Sequence, residues 1–449
     1  MHYRWLLPAI YLLLSVFLLT CCRASRVRKA VRQSEVFNKH FTGFVLYNQK
    51  KQRVVYEQNS NRYFTPASNT KLFTFYTSVK ILGDSVPALK YAISNDSLYF
   101  WGTGDPSLLH PDLITSPGGG KNSRGYDFLR SRSEKLCYVA SPLKVNGFGP
   151  GWSWDDYNDY YSAERAPMPV YGNVIRFTTQ PATSPAQPGW QVMPHFFKSY
   201  FVAKSLLQKL LPPSEAVFQR DPVSNLFTFN PVHYRPNRVY ELPFRYSEQL
   251  FTELLTDTLH KPVHLVNHKP AAPAQTLYSV RTDSLYKRLM QESDNFIAEQ
   301  LLLLCASQFS DTLRAENSIE YATKTFLNDL PDPPVWVDGS GLSRYNLFTP
   351  RSIVRLLQKI YATVPQERLF SILPVGGQSG TIRNLYTAPT PYVFAKTGSL
   401  SNVHCLSGYI VTKKRNVLLF SFMHNNYTVS ATELKQEMEK VLKLVRDIY

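Results

Sequence analysis

The chemistry of this chain starts from a serine placed three residues ahead of a lysine. In Ser68-Asn69-Thr70-Lys71 the spacing puts both side chains on one helix face, so the Lys71 amine can reach the Ser68 hydroxyl. Serine is a poor nucleophile until a neighbouring base takes its proton. The free N–H groups at a helix start also favour a developing negative charge. The pattern alone says little, because Ser141-Pro142-Leu143-Lys144 and Ser284-Leu285-Tyr286-Lys287 repeat it. Asn146, Gly147, Pro150 and Gly151 leave no helix to align the Ser141 copy. Ser284 does lie in a helical pattern and is the rival; helix capping is the ordinary role of either serine.

Two further motifs favour Ser68. Ser293-Asp294-Asn295 supplies a second hydroxyl and an amide, and Lys396-Thr397-Gly398, followed by Ser399, supplies a second lysine on a strand. Were the helix of Ser284 to continue to Ser293, the two serines would stand roughly 13 Å apart along its axis, too far for one site. S-x-x-K, S-D-N and K-T-G in this order are the motif set of serine β-lactamases and penicillin-binding proteins. Over most of its length the chain resembles the class C low-molecular-mass penicillin-binding proteins, the D-alanyl-D-alanine carboxypeptidase/endopeptidases. Gly102-Thr103-Gly104-Asp105-Pro106 extends the resemblance, as does Asp338-Gly339-Ser340-Gly341-Leu342-Ser343-Arg344 with Asn346 and Thr349-Pro350. Leu373-Pro374-Val375-Gly376-Gly377, followed by Gly380-Thr381, fits as well. The long gap between Lys71 and Ser293 is what that family's inserted domains imply.

The resemblance implies roles residue by residue. Ser68 attacks the carbonyl between two D-alanines, and Lys71, held neutral by nearby positive charge, accepts its proton. Ser293 passes a proton to the leaving amine, and Asn295 hydrogen-bonds the substrate amide. Lys396 lowers the pKa of Lys71 by like charge; with Thr397 and Gly398 it binds substrate, anchoring a carboxylate. The backbone N–H groups of Ser68 and Ser399 form an oxyanion hole, worth roughly 3–4 kcal/mol per donor. Neither a cofactor nor a metal is implied. The implied partners are peptidoglycan peptides and, as covalent inhibitors, β-lactam antibiotics. A β-lactam-hydrolysing enzyme and an idle peptidoglycan-binding protein of the same fold are the alternatives, and the identity of the general base stays open.

Other chemistries fit less well. There is no G-x-S-x-G elbow for a Ser-His-Asp hydrolase, and His404, close after K-T-G, reads as a strand residue. His260, His264 and His268 recur every four residues, but Pro262, Val263, Val266 and Pro270 oppose a helix, and in a strand that interval spans about 13 Å, too far for one ion. Asp105 and the pair Asp155-Asp156 read as turn caps.

These residues need elements to hold them. Phe44-Val45-Leu46-Tyr47 and Val54-Val55-Tyr56 around a polar turn read as a hairpin, and the helix of Lys71 follows. Near the end, Val393 to Thr397, Val403 to Val411 and Asn416 to Met423 read as strands and Thr432 to Ile448 as an amphipathic helix. The expected fold is α+β: a penicillin-binding/β-lactamase-like transpeptidase domain with an antiparallel five-stranded sheet flanked by helices. That domain is expected at 27–91 and 276–449, interrupted by a mainly β inserted region at 92–275.

Composition bounds the setting. The chain has 449 residues, 44% hydrophobic and 18% charged, which is a globular mixture large enough for more than one core. A formal charge of +17 favours anionic partners, yet no run of five or more Lys and Arg, zinc-finger spacing or RNP-like motif points to nucleic acid. Arg4, the apolar stretch Trp5 to Leu19 and Thr20-Cys21-Cys22 read as a secretory signal over 1–22, with a loose lipobox that would lipidate Cys21 or Cys22 and hold the protein at a membrane. The expected location is the cell envelope or periplasm. Cys137, Cys305 and Cys405 match neither a disulfide framework nor a metal motif.

Overall fold

A computed structural model of the chain describes residues 23–113, 123–141, 146–181, 189–201, 216–230 and 234–449. The signal and lipobox segment therefore lies outside the described residues, as does most of the Ser141 motif.

The front hairpin and the three late strands join in one sheet, in the order Val393–Leu400, Val403–Val411, Val417–Asn425, Phe41–Asn48, Arg53–Gln58. Every pairing is antiparallel. Successive side chains of a strand point to opposite faces, and both faces here are apolar. Val45, Tyr47, Cys405 and Tyr409 pack into one core with the helices Lys71–Ile81, Thr282–Gln291, Asn295–Ala306 and Pro350–Thr363. Phe44, Leu46, Leu406 and Ile410 pack into the other, against a helix at 23–32 and the C-terminal helix Ala431–Ile448. The fold is thus α+β, with the expected five-stranded sheet between two helical layers.

Helix Asn295–Ala306 runs through the larger core, and residues Phe296 to Ala306 are all buried. A helix apolar all round belongs in such a place. The Asp294 side chain caps it, accepting from the Ile297 N–H at 2.9 Å. Ser293, just ahead, takes the left-handed conformation at φ 58°. That kink ends the preceding helix at Gln291 and separates Ser284 from Ser293.

The inserted region carries a five-stranded sheet (Val263–Val266, Lys135–Val139, Ser97–Gly102, Ser85–Ser94, Gln275–Arg281), a three-stranded sheet and a two-stranded one. Ser85–Ser94 pairs with both Ser97–Gly102 and Gln275–Arg281. The interruption therefore runs from 85 to 281, and the expected limits at 92 and 275 cut through its own strands. Val86, Ala88 and Leu89 are as apolar as the catalytic strands, so pattern could not tell which sheet they join. Gln300, inside the central helix, ties the insertion down: it donates to the Gly104 and Ala166 carbonyls at 2.9 Å and accepts from the Ala166 N–H at 3.0 Å. Cys137, Cys305 and Cys405 are buried free thiols.

Candidate active site

Ser68 sits in a single 3-10 turn, Ala67–Thr70, that feeds helix Lys71–Ile81. The sequence suggested an α-helical start; the 3-10 turn serves the spacing better, because residues i and i+3 eclipse in it. Lys71 Nζ lies 2.8 Å from Ser68 Oγ. Its other two directions are filled by acceptors, Asn295 Oδ1 and the Ser340 carbonyl, each at 2.7 Å. Neither can donate, so both consume a Lys71 proton whatever its charge state. The third direction alone is free to switch: an ammonium donates to Ser68 Oγ, and a neutral amine accepts from it.

Lys71 is completely buried, and desolvation pulls its pKa down to about 8 against the opposing pull of Asp338, Glu299 and Asp294. Lys396, also buried, is driven well below its ordinary value by desolvation and then by the positive charge of Lys71. This reverses the order expected from the sequence. Asp338, Glu299 and Asp294 oppose the burial of Lys71 and no carboxylate offsets that of Lys396, which favours a positive charge on Lys71 over one on Lys396. Lys396 Nζ donates to Ser293 Oγ and to the Thr397 carbonyl, both at 2.8 Å.

Strand Val393–Leu400 is the edge of its sheet. Ala395 N–H donates to the Pro374 carbonyl at 3.1 Å and the Val393 carbonyl accepts from Gly376 at 2.9 Å on that open side. With the two-residue period of a strand, the backbones of Thr397 and Ser399 face that same open side, and both residues line one cleft with Ser68. Gly398 permits the approach: a Cβ there would lie 2.5 Å from the Pro66 carbonyl oxygen and 2.9 Å from the Ser68 nitrogen. Asn69 donates to the Lys396 carbonyl at 2.9 Å and fixes turn to strand. From the other side Gly341, at φ 81°, packs where a Cβ would come 1.9 Å from the Ala67 carbonyl oxygen. The resulting cleft of about 240 Å³ is lined by Ser68, Ser293, Thr381, Thr397, Ser399 and Lys435 among others.

The fold thus brings together Ser68, Lys71, Ser293, Asn295, Lys396, Thr397, Gly398 and Ser399. Ser284 stays outside the cleft, on the helix Thr282–Gln291. The chain belongs to the D-Ala-D-Ala carboxypeptidase 3 (S13) family. Residues 24–447 match that family. The penicillin-sensitive carboxypeptidase A of Dictyostelium discoideum is 23% identical over 438 residues, covering 87% of this chain and 83% of its own. The D-alanyl-D-alanine carboxypeptidase DacB of Haemophilus influenzae is 24% identical over 456 residues, 91% and 90% of the two chains. The crystal structure of penicillin binding protein 4 from the same organism shares the fold at a TM-score of 0.71 and 19% identity, over 94% of this chain and 99% of that one. As an S13 member, the protein is a serine-type carboxypeptidase.

Several residues around this S13 site escaped the sequence reading. Glu299 accepts from the Ser340 N–H at 2.7 Å, and burial raises its pKa to about 7 against the guanidinium of Arg165. An acid one helical turn after Asn295, in an otherwise apolar helix, was the available signal. Asp338 accepts from the backbone of Gly341 and Ser343, from Asn346, and from Trp152 Nε1 at 2.9 Å. Trp152 and Tyr161 belong to the insertion; the Tyr161 carbonyl accepts from Asn295 Nδ2 at 3.0 Å and so orients the amide whose oxygen holds Lys71. Thr397 donates from its hydroxyl to Thr381 Oγ1 at 2.7 Å. His404 is buried on its strand, as read, and its Nδ1 lies 2.8 Å from Ser399 Oγ.

The weaker candidates take structural places. Asp105 is buried with its oxygens accepting from Ser107 and Ser279, and desolvation raises its pKa to about 6. Asp156 accepts from the Tyr161 hydroxyl at 3.0 Å, and Asp155 is exposed in the same 3-10 turn. His260 ends helix Glu248–Leu259, whereas His264 lies in strand Val263–Val266 and His268 packs near Tyr99.

Proposed function

We propose that the chain hydrolyses the D-alanyl-D-alanine bond of peptidoglycan stem peptides at the cell envelope, through an acyl-enzyme on Ser68. The observation that carries this reading is the coordination of Lys71, whose one unfilled direction meets Ser68 Oγ. With a pKa near 8, roughly a tenth of Lys71 is neutral at pH 7. That fraction takes the Ser68 proton as the Oγ–carbonyl bond forms. The N–H groups of Ser68 and Ser399 hold the oxyanion, and the C–N bond breaks as the departing amine gains a proton through Ser293. Lys396 beside Ser293 regulates that hydroxyl; an incoming substrate carboxylate favours a proton on Lys396, with the Thr397 hydroxyl as a second contact. Asn295 releases the Tyr161 carbonyl to hold the substrate backbone. Water then cleaves the ester and frees the shortened peptide and Ser68.

The S13 relatives named for penicillin support β-lactams as covalent inhibitors of the same serine. The N-terminal signal and lipobox support an envelope location with lipid attachment at Cys21 or Cys22. Fluorescent penicillin tests the chemistry: wild type forms a long-lived adduct and Ser68→Ala forms none while remaining folded. A folded wild type that fails to label would overturn the reading, and rapid loss of the label would make the enzyme a β-lactamase. Release of D-alanine from purified stem peptides, set against cleavage of cross-linked dimers, divides carboxypeptidase from endopeptidase action.

A further inference from the structure

Much of the net charge of +17 gathers at one end of the catalytic sheet. Two hairpin turns meet there, since Gln49 N–H donates to the Val417 carbonyl at 3.2 Å. One turn carries Lys50 and Lys51 and the other Lys413 and Lys414, all exposed. The C-terminal helix ends beside them: Lys413 N–H donates to the Arg446 carbonyl, and Asn416 Nδ2 to the Tyr449 carbonyl, both at 3.1 Å. The helix at 23–32 completes the face. It buries Val27 and Val31 and exposes Arg26 and Lys29, and its first residue, Arg23, acts on the Tyr449 hydroxyl together with Arg53. The acid in the middle, Asp447, is already paired with Lys413 and Arg446.

We propose that this basic end lies on an anionic phospholipid surface and orients the enzyme on its membrane. Two independent observations select lipid over other polyanions. A lipid on Cys21 or Cys22, as proposed above, would sit within two residues of Arg23, on this end. A single lipid or apolar segment gives marginal membrane attachment, which a basic patch completes. The second observation is direction. Gly398, beside Ser68, pairs with Cys405, and the strand from there to its end at Val411, just before Lys413, covers six residues, about 20 Å at strand spacing. The cleft therefore opens at the far end of the sheet from the basic face, away from the lipid and toward the polymer. The inference rests on the envelope location proposed above.

The test is lipid titration of the full chain with vesicles of phosphatidylcholine alone or mixed with phosphatidylglycerol. The N-terminus is the same in both arms, so their difference isolates the basic face. Binding to the anionic vesicles is tighter by at least about tenfold at low salt, and the advantage fades as salt screens it. K50E/K51E and K413E/K414E each remove most of that advantage, while K287E/K324E, on other helices, keeps it. All variants label with fluorescent penicillin as wild type does, which separates failure here from failure of the proposed chemistry. Equal binding to both vesicles, or equal loss in K287E/K324E, overturns the proposal. So does a charge-reversal effect confined to soluble anionic wall polymer.

Discussion

At the residue scale the site turns on a proton held among three acceptors around Lys71. Burial lowers its pKa to about 8, while Glu299 and Asp338 hold it up. With the neutral Lys71 amine as the proposed base, acylation by a chromogenic cephalosporin is expected to rise with pH through about 8 and level off above. Glu299→Gln keeps the acceptor for the Ser340 N–H but removes a negative charge that favours the ammonium. The midpoint of the acylation limb is therefore expected to move to lower pH, a shift that stopped-flow rates across pH would register and that mere loss of packing would not produce. Ser68, Lys71, Ser293 and Lys396 were legible because each carries a short motif of its own. Glu299 was hidden because its partner, Ser340, is remote in sequence. The charge order of the two lysines was hidden as well, since it depends on which one the carboxylates surround.

At the scale of elements, the site is two close approaches of backbone. The Ser68 turn is held between the edge strand at Gly398 and the loop at Gly341. Gly398→Ala pushes a methyl into the Pro66 carbonyl and the Ser68 nitrogen, so acylation is expected to fall by about 100-fold or more, with a loss of roughly 1–3 kcal/mol in stability from overpacking. Gly341→Ala adds left-handed strain to a still closer clash and is expected to cost more, read as a lower midpoint in thermal unfolding. The strand read as Val393 to Thr397 runs on to Leu400. The last two strands and the closing helix were visible in the sequence to within two residues, because alternation and amphipathic spacing there are regular. The 3-10 form of the Ser68 turn and the kink at Ser293 were not. Each is a single left-handed residue, Ala67 or Ser293, of a type that gives no conformational warning.

At the scale of the molecule, the insertion serves the chemistry as well as interrupting it. Trp152 donates to Asp338, and the Tyr161 carbonyl steadies Asn295, across a break of more than a hundred residues. Trp152→Phe keeps the ring and removes one hydrogen bond to a carboxylate, worth about 1.5–3 kcal/mol. Acylation is expected to slow by roughly tenfold, with the circular dichroism spectrum unchanged. The β character of the insertion could be read from its turns and aromatics. Its limits could not, because strand pairing between 85–94 and 275–281 is long-range information.

The sheet order itself has a temporal consequence. Strand Phe41–Asn48 is made well before its inner neighbour, Val417–Asn425. Contacts so distant in sequence form late, after the cost of closing the intervening loop has been met. Until then the Ser68 turn has no Gly398 strand against it and Lys71 no Ser340 or Asn295. A growing chain thus carries Ser68, the proposed nucleophile, before the partners that would activate it exist. The late strands are thus the safety catch on a D-Ala-D-Ala carboxypeptidase.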